Sequence, residues 1–529
     1  MLSLAATHAA LAEANPDRLC FVHREARLTW REQHDRARRL AAVLAEHGLG
    51  HHRPRTELAG WECGQDVVAL VLYNDRYLEA MLAADLARCV PANVNYRYTA
   101  EELAYVFGDM SAAAVVYDSA LASTVEAAVK HLERRPLLIA AGPRAVHPDA
   151  LDYDAVVTAA DPLPPLDWSP DDVYVLYTGG TTGQPKGVLW RQGDFIAAAL
   201  GVSAPDIEAV IANAAKPNRP VVLPTAPFMH GAAHWNAWSA WLSGGTVVIP
   251  DVVDALDAPT IWRTAEREQV NSIQLVGDAF AIPLLEELER GHYDVSSIRL
   301  VVSGGVTLST NNKARFLAAI PRAKVLDIMG SSEGGRQGVR SSSASDGVDA
   351  GRFEPSRGAT VIDAARQSVL PPGSDEVGWL ASSGRVPLGY LGDEAKTVAT
   401  FPVIDGRRYS VPGDRAVHHR DGSIEVLGRD SMTINTGGEK VFAEEVEDAL
   451  KAHPAVRDAV VVGRPSARWG HEVVAVIELR DADVTDAELL EACRAHLAGY
   501  KVPKALVRRP QVHRSPSGKA DYRWAAAQV

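Results

Sequence analysis

The chain has 529 residues, 47% of them hydrophobic and 23% charged, with a formal net charge of −13. That length exceeds one ordinary domain and supplies apolar side chains for sizeable cores, while an acidic balance with a pI near 5.7 argues against a nucleic-acid scaffold, which would carry basic patches. Cys20, Cys63, Cys89 and Cys493 are scattered without a Cys-x-x-Cys pair, so neither a zinc site nor a disulfide framework is expected.

The N-terminus lacks a charged region followed by an apolar core, and no run of about 18 apolar residues follows. A soluble, cytoplasmic protein without a transmembrane segment is expected. Helical runs from Arg31 to His47 and from Leu78 to Leu86 alternate with apolar strands from Val67 to Tyr73 and from Ala113 to Tyr117. This alternation predicts parallel sheets with covering helices. Pro162 to Pro170 reads as a linker, and Asp172 to Tyr177 as a short buried strand.

That strand runs into Tyr177-Thr178-Gly179-Gly180-Thr181-Thr182-Gly183-Gln184-Pro185-Lys186-Gly187. The glycines allow several backbone N–H groups to converge on an anion, the threonines add donors, and Lys186 adds a positive charge. A phosphate-binding loop is the natural reading. It is not the common P-loop, because Gln184-Pro185 separates Gly183 from Lys186. Alone, the loop implies only a nucleotide. Downstream, Trp235, Trp238 and Trp241 are three apart and share a helical face, as core or as pocket wall. After Arg429 the pattern becomes a compact α+β module. Ala443 to His453 is a helix, and Val456 to Val462 and Glu472 to Leu479 are strands. Thr485-Asp486-Ala487-Glu488 is a capping box opening a helix to Leu497. The fold class is therefore α/β, a large multi-sheet N-terminal body with covering helices and a small α+β C-terminal domain.

The loop resembles the signature of the adenylate-forming enzymes: acyl-CoA synthetases, carrier-linked adenylation domains and luciferases. Further motifs of that family follow in its order. Pro227-Phe228-Met229-His230-Gly231 is similar to the aromatic motif beside the acyl pocket, and Ser303-Gly304-Gly305 to the turn under the adenine. Asp327-Ile328-Met329-Gly330-Ser331-Ser332-Glu333 resembles the Tyr-Gly-x-Thr-Glu segment, and Tyr409 to Asp414 the ribose motif. Gly428-Arg429-Asp430 through Gly437-Gly438-Glu439-Lys440 resembles the hinge and thioester motif, and Ser515-Pro516-Ser517-Gly518-Lys519 the catalytic lysine motif. Met329 stands where relatives carry an aromatic residue, Ser431 where many carry Asp or Lys at the hinge, and His513 where proline is frequent. Val411-Pro412 also departs from the ribose motif.

The resemblance implies an N-terminal ATP- and acyl-binding domain over 1–428, a hinge at 429–431 (Asp430 and Ser431 its pivot), and a mobile lid over 432–529. It implies that Thr178, Gly179, Gly180, Thr181, Thr182, Gly183 and Lys186 hold the β- and γ-phosphates of ATP. Gly304, Gly305, Asp327, Met329, Gly330, Ser331 and Ser332 border the nucleotide. Glu333 ligates Mg²⁺, a hard cation suited to oxygen donors. Asp414 takes the ribose hydroxyls, although alone it would also fit an Asx turn, and Arg429 braces the junction. Lys519 acts at the carboxylate and α-phosphate; Lys186, Glu333 and Lys519 form the catalytic set. Gly437, Gly438 and Glu439 line the path of coenzyme A, or else form a tight turn.

The stretches Asn93 to Leu103 and Val276 to Phe280 are most similar to actinobacterial-type fatty and steroid-side-chain acyl-CoA synthetases. Expected acyl-pocket residues are His230, Trp235, Asp278, Phe280 and Gly305. The implied reaction is ATP-dependent, AMP-forming ligation of a bulky hydrophobic carboxylic acid, long-chain, steroid-like or terpenoid, to CoA. An enzyme that stops at the acyl-adenylate and passes it to a carrier or partner enzyme is the alternative. Because the sequence stops shortly after Lys519, no fused carrier domain is expected. A homodimer is one assembly left open.

Overall fold

The computed structural model describes residues 1–143, 148–178, 184–348, 351–436, 439–466, 469–515 and 518–529. Gly179, Gly180, Thr181, Thr182 and Gly183 of the expected phosphate loop, and Gly437 and Gly438 of the expected CoA path, lie outside the described residues. The Ser431 side chain does too.

The chain forms two compact units, neither of them one continuous segment. The first comprises Met1–Gln274, Ser331–Arg336 and Gly384–Pro402. Its larger sheet has the strand order Gly389–Tyr390, Lys186–Arg191, Val173–Thr178, Val90–Asn93, Val67–Val71, Ala114–Asp118, Leu137–Ala141, Leu151–Asp152. The last six strands run parallel, and the first two pair antiparallel. Val67–Val71 is buried at every position, as expected of a parallel strand covered on both faces. Val71, Val115, Val175, Leu189 and Phe107 share the core beneath it. The helix Trp30–Glu46 begins at a capping box of Thr29 and Glu32. A second set pairs Leu19–His23 with Thr246–Ile249 and Val221–Pro224 with residues 272–274.

On the helix Gly231–Trp241, two of the three tryptophans are core. Trp238 and Trp241 are fully buried, and the Trp241 indole N–H donates to the Cys20 carbonyl at 3.0 Å. Trp235 lies partly exposed on the same face.

The second unit comprises Leu275–Gly330, Gln337–Ser383 and Val403–Val529. Leu300–Gly304 runs parallel to Lys324–Ser331. Antiparallel pairing joins Ala359–Ile362, Gly378–Ser383, Arg407–Ser410, Asp414–His418 and Ile424–Arg429. The C-terminal part is a five-stranded sheet built on the long hairpin Val456–Ser466 and Gly470–Leu479, with Thr433–Thr436, Glu439–Phe442 and Ala505–Arg508 added. Ile434, Val446, Leu450, Val461, Ile477 and Leu489 fill its core with the helices Ala443–Lys451 and Asp486–Arg494. The Thr485–Glu488 capping box is present. Its helix ends at Arg494 because the next turn tightens, with His496 and Leu497 N–H both donating to Cys493 O. Residues 429–431 fall inside this unit, where Ile424–Arg429 gives way to the turn Asp430–Met432. The class is mixed α/β with a small C-terminal sheet domain, as the alternation of elements requires. Among the described residues, no helix is long and apolar enough to cross a membrane.

Candidate active site

In the first unit, one hairpin carries both ends of the expected phosphate loop: Thr178 closes Val173–Thr178, Lys186 opens Lys186–Arg191, and the two residues pair across the ladder. The Lys186 ammonium lies 3.5 Å from Asp109 Oδ1 and 3.7 Å from Asp393 Oδ2. Burial alone would lower its pKa. Asp109, with Tyr105 and Asp393, outweighs that and holds the ammonium above the usual lysine range. Asp109 is itself oriented by the Tyr177 hydroxyl, which donates to Oδ2 at 2.8 Å.

Glu333 is indexed to the same strand. The indole N–H of Trp190 donates to the Ser332 carbonyl at 2.9 Å, and the Tyr390 hydroxyl donates to Glu333 Oε1 at 2.7 Å. The Ser331 hydroxyl accepts the Gly334 N–H at 2.9 Å. Gly335 has φ +64°, and a Cβ there would press on the Ala198 carbonyl at 3.0 Å, so the turn after Glu333 needs glycine.

His230 precedes the helix Gly231–Trp241. Buried Asn93 holds the segment leading to it: Nδ2 donates to Met229 O at 2.7 Å and to Tyr177 O at 2.9 Å, while Oδ1 accepts from Tyr177 N at 2.7 Å. Trp235 is fixed by a relay. Its indole donates to Tyr174 Oη at 2.8 Å, and that hydroxyl lies 2.5 Å from His234 Nε2. His234 Nδ1 meets the Phe228 carbonyl at 2.7 Å. A carbonyl only accepts, so Nδ1 carries the proton and Nε2 takes the tyrosine O–H. Burial pushes His234 down to about 4, so the imidazole is neutral near pH 7.

The second unit holds the remaining residues. Gly304 ends its strand and Gly305 turns with φ +86°. Asp327 is buried between Lys313 Nζ at 2.5 Å and Arg340 Nε at 3.0 Å, which commits its carboxylate to an internal ion triad. Met329 packs against Val361, Leu380 and Ala416. Gly330 ends the unit's first segment. Asp414 and Arg429 face each other across an antiparallel ladder, with Oδ1 3.3 Å from Nε. Asp430 accepts from Arg415 Nε at 2.8 Å, and Glu439 is exposed at the start of its strand.

Lys519 is exposed on a tight hairpin in which Ser515 N–H donates to Lys519 O at 2.8 Å and Lys519 N–H to Ser515 Oγ at 3.1 Å. Arg514 anchors the hairpin, donating to Gly518 O at 3.1 Å and doubly to buried Asp458 at 2.6 Å. Gly518 has φ +78°, and a Cβ would meet Val276 O at 3.1 Å and the Phe280 ring at 3.5 Å. The lysine hairpin therefore lies on the segment that carries Asp278 and Phe280. Asp278 is held from several sides: Oδ1 accepts from Ser309 N, Ser309 Oγ and Asn312 Nδ2, while buried Oδ2 lies 3.5 Å from Lys451 Nζ with no hydrogen-bond partner among the described residues. Burial would raise its pKa, but Lys451 and these donors hold it below the usual carboxylate range. Phe280 is buried beside it.

Motif reading passes over Asn93 as a clamp, and over Asp109, Tyr390, Asp393, Lys451 and Arg514. The available signal was Gly-Tyr-Leu-Gly-Asp at 389–393, a turn followed by an N-capping aspartate.

Residues 8–391 match the family model described as AMP-binding enzyme, and residues 445–519 the AMP-binding enzyme C-terminal domain. The chain is 47% identical to the medium-chain acyl-CoA ligase Mig of Mycobacterium avium, covering 98% of this chain and 97% of that protein. It is 36% identical to a 3-oxocholest-4-en-26-oate–CoA ligase of Rhodococcus rhodochrous, over 97% and 93%. A crystal structure of an anthranilate CoA ligase with anthranoyl-AMP shares the fold, with TM-score 0.83, 19% identity and coverage of 99% and 97%. Both family models match in order and together take in most of the chain; this protein belongs to the AMP-binding enzyme family.

Proposed function

We propose that this AMP-forming acyl-CoA ligase activates a bulky, hydrophobic carboxylic acid of the medium- to long-chain or steroid-side-chain class. The observation that carries the reading is the end-to-end similarity to a medium-chain acyl-CoA ligase, supported by a second relative that acts on a steroid acid. Trp235, partly exposed and locked beside the His230 turn, is the apolar wall on which such an acyl group rests.

The chemistry joins two anions and expels a third, so positioning and charge stabilisation dominate. The loop from Thr178 to Lys186 holds the β- and γ-phosphates, with the Lys186 ammonium exchanging its two carboxylate neighbours for phosphate oxygens. Asp414 binds the ribose hydroxyls, with the Arg429 guanidinium beside it. Lys519 meets the acid's carboxylate and the α-phosphate as the new C–O–P link forms and pyrophosphate leaves. The donor set at Glu333, one carboxylate flanked by the Ser331 and Ser332 hydroxyls, suits Mg²⁺, which keeps much of its water shell. When bound there, the ion neutralises charge on the leaving phosphates. The Arg429–Ser431 segment is the hinge, 432–529 the lid, and Gly437, Gly438 and Glu439 the approach for the CoA thiol.

Mass spectrometry of reactions with ATP, Mg²⁺ and a panel of fatty, aromatic and steroid acids, with and without CoA, tests this. Acyl-CoA from apolar acids, formed only with CoA, is expected. Acyl-AMP that persists despite CoA would overturn CoA as the acceptor, and turnover confined to small aromatic acids would overturn the acyl class.

A further inference from the structure

We propose that Tyr390 is the positioning residue for Glu333, fixing its carboxylate relative to Lys186. The proposal rests on the reading above in which Glu333 holds Mg²⁺ and Lys186 the phosphates.

Three observations make Tyr390 more than a neighbour. Its hydroxyl donates to Glu333 Oε1 at 2.7 Å, a charge-assisted bond of the stronger kind. Its backbone is paired antiparallel with the strand that Lys186 opens: Gly389 pairs with Leu189 and Tyr390 with Val188, and Leu391 N–H donates to the Gly187 carbonyl at 2.8 Å. Its ring has little freedom, being buried, 5.9 Å from the Phe401 ring and 4.2 Å beneath the Lys396 ammonium.

The same turn reaches the other charge. Asp393 Oδ1 accepts from Lys396 N at 2.9 Å, which caps the helix Glu394–Thr400, and leaves Oδ2 3.7 Å from Lys186. One five-residue turn thus touches both Glu333 and Lys186. A hydrogen bond on Oε1 fixes the plane of the Glu333 carboxylate and suppresses the rotation that would move a bound cation from the phosphates.

Tyr390→Phe keeps the ring and deletes the bond. The test is a titration of Mn²⁺, as a magnetic stand-in for Mg²⁺, into the protein with ATP, reading free Mn²⁺ by electron paramagnetic resonance. Adenylate formation against Mg²⁺ concentration and the thermal midpoint are measured in parallel. The expected result is Mn²⁺ affinity about tenfold weaker, the effect of losing one hydrogen bond to a charged group, with an unchanged thermal midpoint. The Mg²⁺ concentration for half-maximal rate rises in step, and excess Mg²⁺ restores most of the rate. Glu333→Gln is the companion. If it weakens Mn²⁺ binding while Tyr390→Phe does not, the positioning role is overturned and the metal reading stands. If neither changes Mn²⁺ affinity, the metal reading falls and the proposal with it.

Discussion

Asn93→Asp changes the role of a single atom. Nδ2, which donates to Met229 O at 2.7 Å and Tyr177 O at 2.9 Å, becomes an oxygen, while Oδ1 goes on accepting from Tyr177 N. Two carbonyls lose their donor and face a negative charge in a buried site. Leaving a buried acceptor unsatisfied costs about 1–3 kcal/mol, so a loss of about 4 kcal/mol for the pair is expected. With a urea slope of about 3 kcal/mol/M, the unfolding midpoint falls by roughly 1 M. Protonation gives partial relief, because a neutral carboxyl donates to one of the carbonyls. The folded pKa of Asp at 93 therefore rises above its unfolded value of about 3.9. Between those two values the folded state binds more protons than the unfolded, so the variant loses stability as pH rises through that window and levels off above it. Urea unfolding of wild type and variant in mildly acidic and mildly basic buffer measures the gap, which widens toward high pH. Tyr177 directly precedes Thr178 and Met229 directly precedes His230, so KM for both ATP and the acid also rises. Equal midpoints at both pH values, with both KM values unmoved, would refute the clamp.

Four further outcomes follow from the same geometry. With Lys519 acting in the transition state as proposed, Lys519→Ala abolishes acyl-adenylate formation and leaves ATP affinity within about twofold; equilibrium ATP binding beside pyrophosphate release separates the two. Gly518→Val places a Cβ on the Val276 carbonyl at a positive φ, shifting the lysine hairpin by a few tenths of an ångström or more, and lowers kcat for adenylation about a hundredfold in single-turnover assays. Trp235→Ala removes the proposed acyl wall, whose indole is held by Tyr174, and moves the kcat/KM ratio toward longer or wider acids by about tenfold across a homologous acid series. Glu447→Gln removes a pH dependence: burial pushes Glu447 up to about 7, so the wild type loses roughly 3 kcal/mol between the ordinary glutamate value and pH 7, and the variant's urea midpoint is flatter across that range.

Much of the fold was legible because its signals are local. Val67–Val71 reads as a strand buried on both faces from composition alone, and the Thr485–Glu488 box announces its helix. The stretch from Thr178 to Lys186 reads as a phosphate loop because glycine, threonine and lysine in series have few other uses. Trp238 and Trp241 show where periodicity stops: three-residue spacing places them on one face but does not say what covers it, and their burial depends on partners such as Cys20 and Met81 far away in the chain. Asp278 shows the complementary case. Its Oδ1 accepts from Ser309 and Asn312 and its Oδ2 lies near Lys451, a set no local pattern predicts. The paired compact units were equally hidden, because Ser331–Arg336 and Gly384–Pro402 join the first through contacts distant in sequence.

The residues that escaped motif reading share one job, and the physics of loops explains why. Met229, Ser332 and Gly518 sit outside regular structure, and Tyr177 one residue before its strand ends, so helices and strand ladders do little to fix the groups that follow them. Each has a carbonyl bound by a side chain rooted elsewhere: Asn93 takes Tyr177 and Met229, Trp190 takes Ser332, and Arg514 takes Gly518. Asn93 and Trp190 lie on strands of the first unit's larger sheet, and Arg514 is locked to Asp458 on a strand of the second. A loop held only by its own turns samples displacements of the size that cost two orders of magnitude in rate. A buried donor on a carbonyl removes that freedom, because breaking the bond leaves the carbonyl dry and unpaired at about 1–3 kcal/mol. The motifs thus name the groups proposed to meet the substrate, while their placement is set by an amide, an indole and a guanidinium whose own neighbours in sequence are ordinary core and surface residues.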